Sequence, residues 1–336
     1  MAAKVSGTVT GINYPWINYG WDFGEPPEGW TGGLDREAFR AAQHKVLLQD
    51  LRDLRASGME VVRWFVLADG LAYGTGTSTP QADGRFFVLP PGDGAVNDIV
   101  ADFSAVLALC AEADVKILPS LIDFHWNFPM VKVSEGYVKC GRSTVLRDEI
   151  QRRIFLDSVL EPLLEASRAH PHAIYAWEPI NEPEWCTGGM QWKFWEPVDE
   201  KKTVPLDAMI AYISEAVERI NKSGFLSTVG FAHWKTIAEW GAEDLGISLQ
   251  QFHYYAQGGA ELPAVIDVTK QPCLVGEFAS APAKCWPCET QALDARLQKV
   301  KELGYAGSLV WSMRAADEAT LWNKDQCLLL ANYHRK

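Results

Sequence analysis

Residues 174–185 read IYAWEPINEPEW, an apolar and aromatic run that ends in prolines, an asparagine and glutamates. Up to Trp177 the pattern is typical of a strand buried on both faces, and such strands belong to parallel sheets covered by helices. In these folds functional groups gather at the carboxyl ends of the strands, where loops vary without disturbing the core. Asn181 and Glu182 stand at this end. Taken singly, Glu178, Glu182 and Glu184 would also fit solvated loop acids, so a site requires a partner for Glu182 elsewhere in the chain.

Similar apolar runs alternate with helical patterns along the whole chain. We predict strands at 11–15, 59–67, 116–126, 174–181, 226–233, 247–255, 273–280 and 307–313. The predicted helices are 35–57, 97–113, 147–169, 206–223, 234–242, 261–268 and 290–304, with a remnant at 324–332. Eight strands, each followed by a helix, indicate an α/β fold of the (β/α)8 TIM barrel type, formed as a single domain over residues 1–336. A doubly wound open sheet is the alternative, but no GxGxxG follows the first strand and no Walker A motif occurs.

Four of the connections between these elements are long. They span 16–34, 68–96, 127–146 and 186–205, and each of them follows a predicted strand. In a barrel they would therefore lie together on the C-terminal face. Long ordered loops on one face usually build a site rather than a linker.

Charge and hydropathy exclude several classes of partner. The 336 residues carry a net charge of -12, whereas nucleic-acid binding needs a basic surface. No run of about 18 apolar residues and no apolar leader occurs, so we expect no membrane partner. The location would be cytoplasmic, or outside the cell for a protein whose signal has been removed. We expect a monomer.

The partner that Glu182 needs is found at the end of another predicted strand, where LVGEFAS contains Glu277. A carboxylate in a buried strand has a functional or structural role much more often than one in a solvated loop. Glutamates at the carboxyl ends of the fourth and seventh strands can face each other across a cleft. Two carboxylates in different environments are the usual equipment of glycoside hydrolysis, one as acid and the other as nucleophile.

Short motifs at the other strand ends have the same order as in glycoside hydrolase family 5 of the clan A (β/α)8 glycosidases, which the chain resembles over most of its length. The residues that carry the resemblance are Arg63 in VVRWF, His125 in DFHW, Asn181 and Glu182 in INEP, His253 and Tyr255 in FHYY, Glu277 in GEF and Trp311 in VWSM. Each motif alone is weak. Their common order on eight-strand spacing is what indicates the family.

The resemblance implies a retaining mechanism, with Glu277 as nucleophile, Glu182 as acid/base and no cofactor. It assigns supporting catalytic roles to Arg63, Asn181, His253 and Tyr255, and substrate binding to His125 and Trp311. We expect Arg63 and Tyr255 to favour ionised Glu277, and repulsion from Glu277 to raise the pKa of Glu182. A histidine or arginine at a strand end would otherwise be a structural residue, and Trp311 a core residue.

The chain has 14 tryptophans, more than a core needs. Those in or beside the strand-to-helix loops are Trp16, Trp21, Trp30, Trp126, Trp185, Trp192, Trp195 and Trp286. Because sugars pack their C–H faces on aromatic rings, the set favours a carbohydrate groove. We assign substrate binding to Trp16, Trp21, Trp126, Trp185 and Trp286. Loop packing is the alternative for any one of them.

The seven cysteines fall into two groups. Cys110, Cys273 and Cys327 lie inside predicted elements and read as small buried hydrophobes. The other four, Cys140, Cys186, Cys285 and Cys288, lie in loops of the active-site face. They fit disulfides (Cys140 with Cys186, Cys285 with Cys288), a four-thiolate zinc site or free thiols.

The prediction is a retaining β-glycosidase acting on a β-linked gluco- or manno-configured chain, with β-1,4-mannan or β-1,4-glucan first, so both a mannanase and a cellulase are possible. A carbohydrate-binding barrel without catalysis is the alternative from another class, although a pure binder has no need for both Glu182 and Glu277. A transglycosylase would share every catalytic residue and differ in the acceptor.

Overall fold

The computed structural model describes residues 7–17, 33–71, 99–134, 137–188, 199–255, 261–279 and 293–314. Within these ranges strands and helices alternate, as predicted. The strands are β1 Val9–Asn13, β2 Val61–Phe65, β3 Lys116–Asp123, β4 Val131–Ser134, β5 Tyr137–Lys139, β6 Glu178–Asn181, β7 Thr187–Gly188, β8 Val204–Pro205, β9 Gln250–His253, β10 Cys273–Ala279 and β11 Gly307–Trp311. The α-helices are α1 Arg36–Ala56, α2 Ile99–Glu112, α3 Ser143–Arg147, α4 Glu149–Phe155, α5 Glu161–Ser167, α6 Leu206–Lys222, α7 Lys235–Glu239, α8 Val265–Val268 and α9 Leu293–Glu302.

Seven of the strands form one parallel sheet in the order β6-β3-β2-β1-β11-β10-β9. β3 is next to β6 because β4 and β5 lie outside this sheet, and β1 pairs with β11, so the first and last described strands are neighbours. The remaining strands form two small ribbons, β4 with β5 antiparallel and β7 with β8 parallel, inside the long connections after β3 and β6. The sequence did not predict these ribbons, because their strands have four residues or fewer.

The predicted fifth strand at 226–233 does not form a continuous ladder. It makes isolated parallel bridges to the β6 side of the sheet, at Trp177 with Ser227 and at Asn181 with Gly230. A third bridge joins Phe231 to Phe252 of β9. The segment therefore contacts both edges of the seven-stranded sheet.

The strands bury side chains on both faces, as the apolar runs predicted. In β2 all five residues are buried. Val61 belongs to a small cluster on one face of the sheet, whose members are Val61, Leu118, Ala176, Leu226, Leu249, Leu274 and Leu309. Val62 and Trp64 belong to the large core on the opposite face, where the helices pack. Because side chains alternate along a strand, Arg63, two residues after Val61, lies on the same face of the sheet and nearer its carboxyl end.

The predicted helix at 147–169 is divided in the structure. A π-helical turn, Leu156–Leu160, separates α4 from α5, and Pro162 lies in the first turn of α5. Proline has no N–H, so the backbone bond from residue 162 to residue 158 cannot form, and the helix widens at that point. The predicted helix at 261–268 is reduced to the single turn α8, and the remnant at 324–332 lies outside the described residues.

Among the described helices, none is long and apolar enough to cross a membrane.

Candidate active site

Arg63 is the centre of a buried polar network at the carboxyl ends of the sheet strands. Its side chain has no exposed surface. The guanidinium donates to Glu178 from Nε (2.9 Å) and Nη2 (2.6 Å), to Glu277 from Nη1 (2.7 Å), and to the Oδ1 atoms of Asn13 (2.8 Å) and Asn181 (2.6 Å). One arginine of β2 thus orients groups from three other strands, β1, β6 and β10, which suits its rigid fork of five donors.

Glu277 lies in an irregular part of β10. The register with β9 shifts between Val275 and Glu277, which is a β-bulge of the kind that redirects a side chain near an active site. Asn13 Nδ2 donates to the Gly276 carbonyl (2.8 Å) at this position. A Cβ on Gly276 would lie 2.6 Å from the Gln251 side chain, so the bulge requires glycine there. Tyr255 donates its hydroxyl to Oε2 of Glu277 (2.7 Å).

Glu182 occupies the first position after β6, with a left-handed backbone conformation (φ 41°, ψ 55°). This sharp turn is uncommon for a residue other than glycine and brings the side chain back over the strand end. His253 Nδ1 lies 2.7 Å from Oε1 of Glu182, and the indole Nε1 of Trp185 donates to Oε2 (2.9 Å). The Glu182 side chain is 16% exposed against 6% for Glu277, so Glu182 is nearer the solvent.

The two glutamates face each other across His253. One carboxylate oxygen each from Glu182 and Glu277 and one ring nitrogen of His253 all lie within 4.8 Å of one another. His253 Nδ1 lies 3.5 Å from Glu277 Oε1. The three side chains also have the spacing of a metal site, but the Arg63 guanidinium, 2.7 Å from Glu277, opposes a cation there.

Asn181 is held at both ends of its amide. Nδ2 donates to Asp123 Oδ2 (2.7 Å), while Oδ1 accepts from Arg63. Asp123 ends β3 directly opposite Asn181 in the parallel register. Its other oxygen accepts the His125 backbone N–H (2.9 Å) and contacts His125 Nδ1. Asp123 thus connects Asn181, at the end of β6, with His125, which follows the neighbouring strand β3.

Burial raises the pKa of Glu182 to about 7, and the charge of Asp123 acts in the same direction. Arg63 and the Trp185 donor oppose this rise. Burial likewise raises the pKa of Glu277, where repulsion from Glu182 adds to it and Arg63 and Tyr255 oppose it. The repulsion between the two carboxylates that we expected thus acts on Glu277, whereas burial and Asp123 are the largest causes of the raised Glu182 pKa.

His253 is neutral at pH 7, because burial lowers its pKa to about 4. The positive charge beside Glu277 is therefore that of Arg63. Two donors, Arg63 and Tyr255, stabilise a negative charge on Glu277, whereas among the described residues no cation is hydrogen-bonded to Glu182. When the pair carries one proton, the proton accordingly resides on Glu182.

The tryptophans predicted to bind substrate have different locations. Trp16, Trp185 and Trp311 are partly exposed, and Trp16 packs against Phe65 with ring centroids 6.1 Å apart. Trp126 is fully buried against Phe155 (5.1 Å), so its assignment to substrate binding is wrong. It follows β3 in a 3-10 turn, Phe124–Asn127, that points it into the core. Trp21 and Trp286 lie outside the described residues, as do Trp30, Trp192 and Trp195.

Cys140 and Cys186 are buried free thiols, so the disulfide predicted between them is not formed. Burial raises the pKa of Cys140 to about 12 and that of Cys186 further. Cys110 and Cys273 are buried free thiols inside elements, as predicted. Cys285, Cys288 and Cys327 lie outside the described residues.

Several residues of the network were not predicted as site residues. These are Asn13, Ser120, Asp123, Glu178 and Gln251. Glu178 is completely buried and Glu184 is 5% exposed, so neither is the solvated loop acid that its sequence context allowed. Polar residues inside apolar strand runs, such as Glu178 in AWEPI and Gln251 in LQQF, are the signal that would have identified them.

No protein-family model matches the chain. In sequence, 176 residues are 26% identical to mannan endo-1,4-β-mannosidase from the mussel Mytilus edulis, a match that covers 52% of this chain and 40% of that protein. The aligned part is thus less than half of the relative's length.

Solved structures match over nearly the whole chain. The β-mannanase from Mytilus edulis superposes with a TM-score of 0.68 at 16% identity, over 97% of this chain and 91% of the mussel chain. The endo-1,4-β-mannanase from Eisenia fetida gives a TM-score of 0.70 at 18% identity, over 98% and 92%. A glycoside hydrolase family 5 mannosidase from Rhizomucor miehei gives 0.54 at 11% identity, over 98% and 93%. The chain has the fold of these β-mannanases, and one of the matching structures is described as a member of glycoside hydrolase family 5, the family that its strand-end residues resemble.

Proposed function

We propose that the chain is a retaining β-glycoside hydrolase whose substrate is a β-1,4-linked mannan. The separation of the two carboxylates carries the proposal. Oxygens of Glu182 and Glu277 lie within 4.8 Å, and retaining enzymes hold their carboxyl groups about 5 to 5.5 Å apart, against roughly 6.5 to 9.5 Å in inverting enzymes. A water molecule for direct attack would not fit between them.

A closed eight-stranded barrel in a single domain is the architecture proposed for the whole chain. Its support is the segment around Ser227–Phe231, which bridges β6 on one side and β9 on the other. A barrel would bring the strand ends that carry Arg63, Asn181 and Glu277 around one axis.

In the first step, the ionised carboxylate of Glu277 attacks the anomeric carbon and forms a glycosyl ester. The C–O bond to the leaving sugar breaks, and Glu182 gives its proton to the departing oxygen. Arg63 and Tyr255 keep Glu277 negative before attack, since both donate to its oxygens. A pKa near 7 lets Glu182 hold its proton around neutral pH.

In the second step, ionised Glu182 takes a proton from water, whose oxygen attacks the anomeric carbon of the ester. The C–O bond to Glu277 breaks and leaves the carboxylate free, so that configuration is retained overall. Water regains access to Glu182 because this residue is the more exposed of the two. His253 contacts Glu182 in both steps.

Substrate binding is assigned to Asn181, His125, Trp311 and Trp16. The Asn181 amide is fixed by Asp123 and Arg63, which orients Nδ2 for a sugar hydroxyl. His125 is 47% exposed, and Trp311 and Trp16 are partly exposed. The relatives described as mannanases favour mannan over the β-1,4-glucan that the sequence left open. The net charge of -12 argues against nucleic acid, and we expect a monomer.

Release of reducing sugar from soluble β-1,4-mannan, β-1,4-glucan and β-1,3-glucan tests the proposal. Wild type should act on mannan, while Glu277→Ala and Glu182→Ala should lose at least about 10²- to 10⁴-fold in rate. Glu149→Gln is the control, since this glutamate of α4 is 68% exposed and is paired with Arg153, and the variant should keep wild-type activity.

Azide separates the roles of the two glutamates. With an activated aryl glycoside, azide should restore turnover to Glu182→Ala and give the β-azide product, because the anion attacks the ester without a base. Mannan binding without turnover by wild type would instead favour the carbohydrate-binding barrel. Longer products that appear only with added acceptor sugar would favour a transglycosylase.

A further inference from the structure

Trp185 contacts the acid/base rather than serving only as a surface for sugar. Its indole Nε1 donates to Oε2 of Glu182 at 2.9 Å. Trp185 is three residues after Glu182, in the 3-10 turn Pro183–Cys186, and its backbone N–H donates to the Glu182 carbonyl (3.1 Å). The turn therefore places one side chain above the other.

The turn is fixed at several points. Thr187 Oγ1 and Cys186 Sγ both donate to the Pro183 carbonyl, at 2.7 and 3.4 Å. Oε1 of Glu184 accepts the Ala232 backbone N–H (2.9 Å), which ties the turn to the segment between β6 and β9. The indole also packs near Phe124, with ring centroids 6.4 Å apart. The position of Trp185 relative to Glu182 is thus determined by tertiary structure.

An indole N–H only donates, so Oε2 of Glu182 must accept in every protonation state. His253 Nε2 is buried and has no hydrogen-bond partner in the part of the chain that the structure describes. Burying an N–H donor without an acceptor costs more free energy than burying an unprotonated ring nitrogen. His253 therefore carries its proton on Nδ1, which faces Oε1 of Glu182.

Both oxygens of Glu182 therefore accept a hydrogen bond from a neutral donor, Oε1 from His253 and Oε2 from Trp185. Such donors stabilise the ionised carboxylate more than the protonated acid, which is the weaker acceptor. Building on the proposed glycosidase function, we propose that Trp185 is a positioning residue whose N–H orients the Glu182 carboxyl group and stabilises the ionised carboxylate that acts as base.

The electrostatics of the site agree with this geometry. The Trp185 hydrogen bond lowers the pKa of Glu182 against the rise caused by burial. A hydrogen bond to a charged group stabilises it enough to move a pKa by about one unit or more. Loss of the N–H should thus make Glu182 a slower base in the second step while it remains a competent acid in the first.

Two substitutions remove the N–H without removing the ring. Trp185→Phe keeps an aromatic side chain, and replacement of Trp185 by 3-benzothienylalanine keeps the full indole shape with sulfur in place of N–H. Both should shift the basic limb of kcat/KM for mannan upward by about one pH unit. With a dinitrophenyl β-mannobioside, whose leaving group needs no proton, kcat should fall about tenfold and a burst of dinitrophenol should appear.

Trp311→Phe is the matched control, because Trp311 has no such contact with Glu182 among the described hydrogen bonds. It should raise KM and leave the pH profile in place. If the two Trp185 variants behave like Trp311→Phe, with a higher KM and an unmoved basic limb, Trp185 is a sugar platform and the positioning role is wrong.

A substrate-free measurement separates this inference from the proposed function. The Glu182 carboxyl is titrated by carbon NMR in wild type and in the benzothienylalanine variant. An upward shift supports the contact even if wild type cleaves no mannan, which would overturn only the glycosidase proposal. Identical titration curves would overturn the role of Trp185 whatever the activity.

Discussion

Arg63 of β2 and Glu178 of β6 form a bidentate ion pair in which both side chains are 0% exposed. The carboxylate of Glu178 accepts two further hydrogen bonds, from Ser120 Oγ (2.7 Å) and Gln251 Nε2 (2.6 Å). Because Glu178 binds two of the three guanidinium nitrogens, Nε and Nη2, the third nitrogen, Nη1, is directed at Glu277. The pair therefore aims the cation that stabilises the nucleophile.

Removal of Arg63 should destabilise the fold as well as stop catalysis. Arg63→Met leaves Glu178 and Glu277 buried without their cation, and breaking a buried pair costs about 3–5 kcal/mol. Urea denaturation at pH 7 measures the change in the free energy of unfolding. Arg55→Met is the control, since Arg55 is 42% exposed beside Asp114 and should cost less than about 1 kcal/mol.

The double variant Arg63→Met, Glu178→Gln tests the cause. Neutralising Glu178 removes one of the two uncompensated charges, so it should recover part of the lost stability without recovering activity. Equal stability of the single and double variants would contradict a charge effect and indicate lost packing instead.

The pH dependence of activity should follow the proton of Glu182. Burial and Asp123 raise its pKa to about 7, so kcat/KM for mannan should fall as pH rises through about 7, where the acid loses its proton. The acidic limb belongs to ionisation of Glu277, whose pKa is raised above its ordinary value by burial. Asp123→Asn removes the nearby negative charge and should shift the basic limb downward.

That downward shift is opposite in sign to the shift expected from Trp185→Phe. The two variants together therefore distinguish a specific effect on Glu182 from a general loss of structure, which would lower the rate at every pH. A basic limb that stays in place in Asp123→Asn would contradict the electrostatic role of Asp123.

The sheet strands, and the positions of Glu182 and Glu277 at the ends of two of them, were predictable, because each depends on a local pattern. A run such as LVGEFA is apolar enough to mark β10 and contains its carboxylate. Trp126 was mispredicted because the sequence shows that it follows a strand but not that the chain turns there into a 3-10 helix that buries it. The direction of a side chain just after a strand depends on tertiary contacts.

Asp123 and Glu178 were missed for a different reason. Their roles exist only through partners distant in sequence, Asn181 and Arg63, that meet them through strand register. The sequence likewise could not choose between a disulfide, a zinc site and free thiols for Cys140 and Cys186, since loop membership says nothing about the distance between two sulfur atoms. A single sequence contains no record of such pairings.

Gly230 should be required for the buried network rather than for a turn. A Cβ at this position would lie 2.9 Å from Arg63 Nη2, 2.9 Å from Gln251 Nε2 and 3.0 Å from Glu178 Oε2. Gly230→Ala should therefore displace the ion pair, destabilise the fold by about 1–3 kcal/mol and lower kcat, as overpacking does. Gly224→Ala is the comparison variant. A Cβ at Gly224 would have no atom within 4 Å, so the φ of +87° would cause backbone strain without crowding.

Comparison of these two glycine variants separates crowding from backbone strain. Both should lose stability, and only Gly230→Ala should lose activity in the folded protein at saturating substrate. Wild-type kcat in Gly230→Ala would mean that the network tolerates the methyl group and that the close approach is not functional.

Glu184 should make the protein less stable in alkaline solution. Burial raises its pKa to about 8, and its Oε2 has no hydrogen-bond partner among the described residues. Because the folded-state pKa lies above that of an unfolded glutamate, the folded state binds the proton more tightly. The resulting stability is present below about pH 4.5 and is lost as pH rises through about 8.

Glu184→Gln removes this titration and can keep the bond from the Ala232 N–H. We expect the variant to match wild type at pH 5 and to be more stable by a few kcal/mol at pH 9, measured by urea denaturation at both pH values. Glu149→Gln is the control, since that side chain is 68% exposed and its charge is already in water. The stability difference between Glu184→Gln and wild type could instead be the same at pH 5 and pH 9. Glu184 would then stay ionised in the folded protein, and contacts to its charged form would offset the cost of its burial.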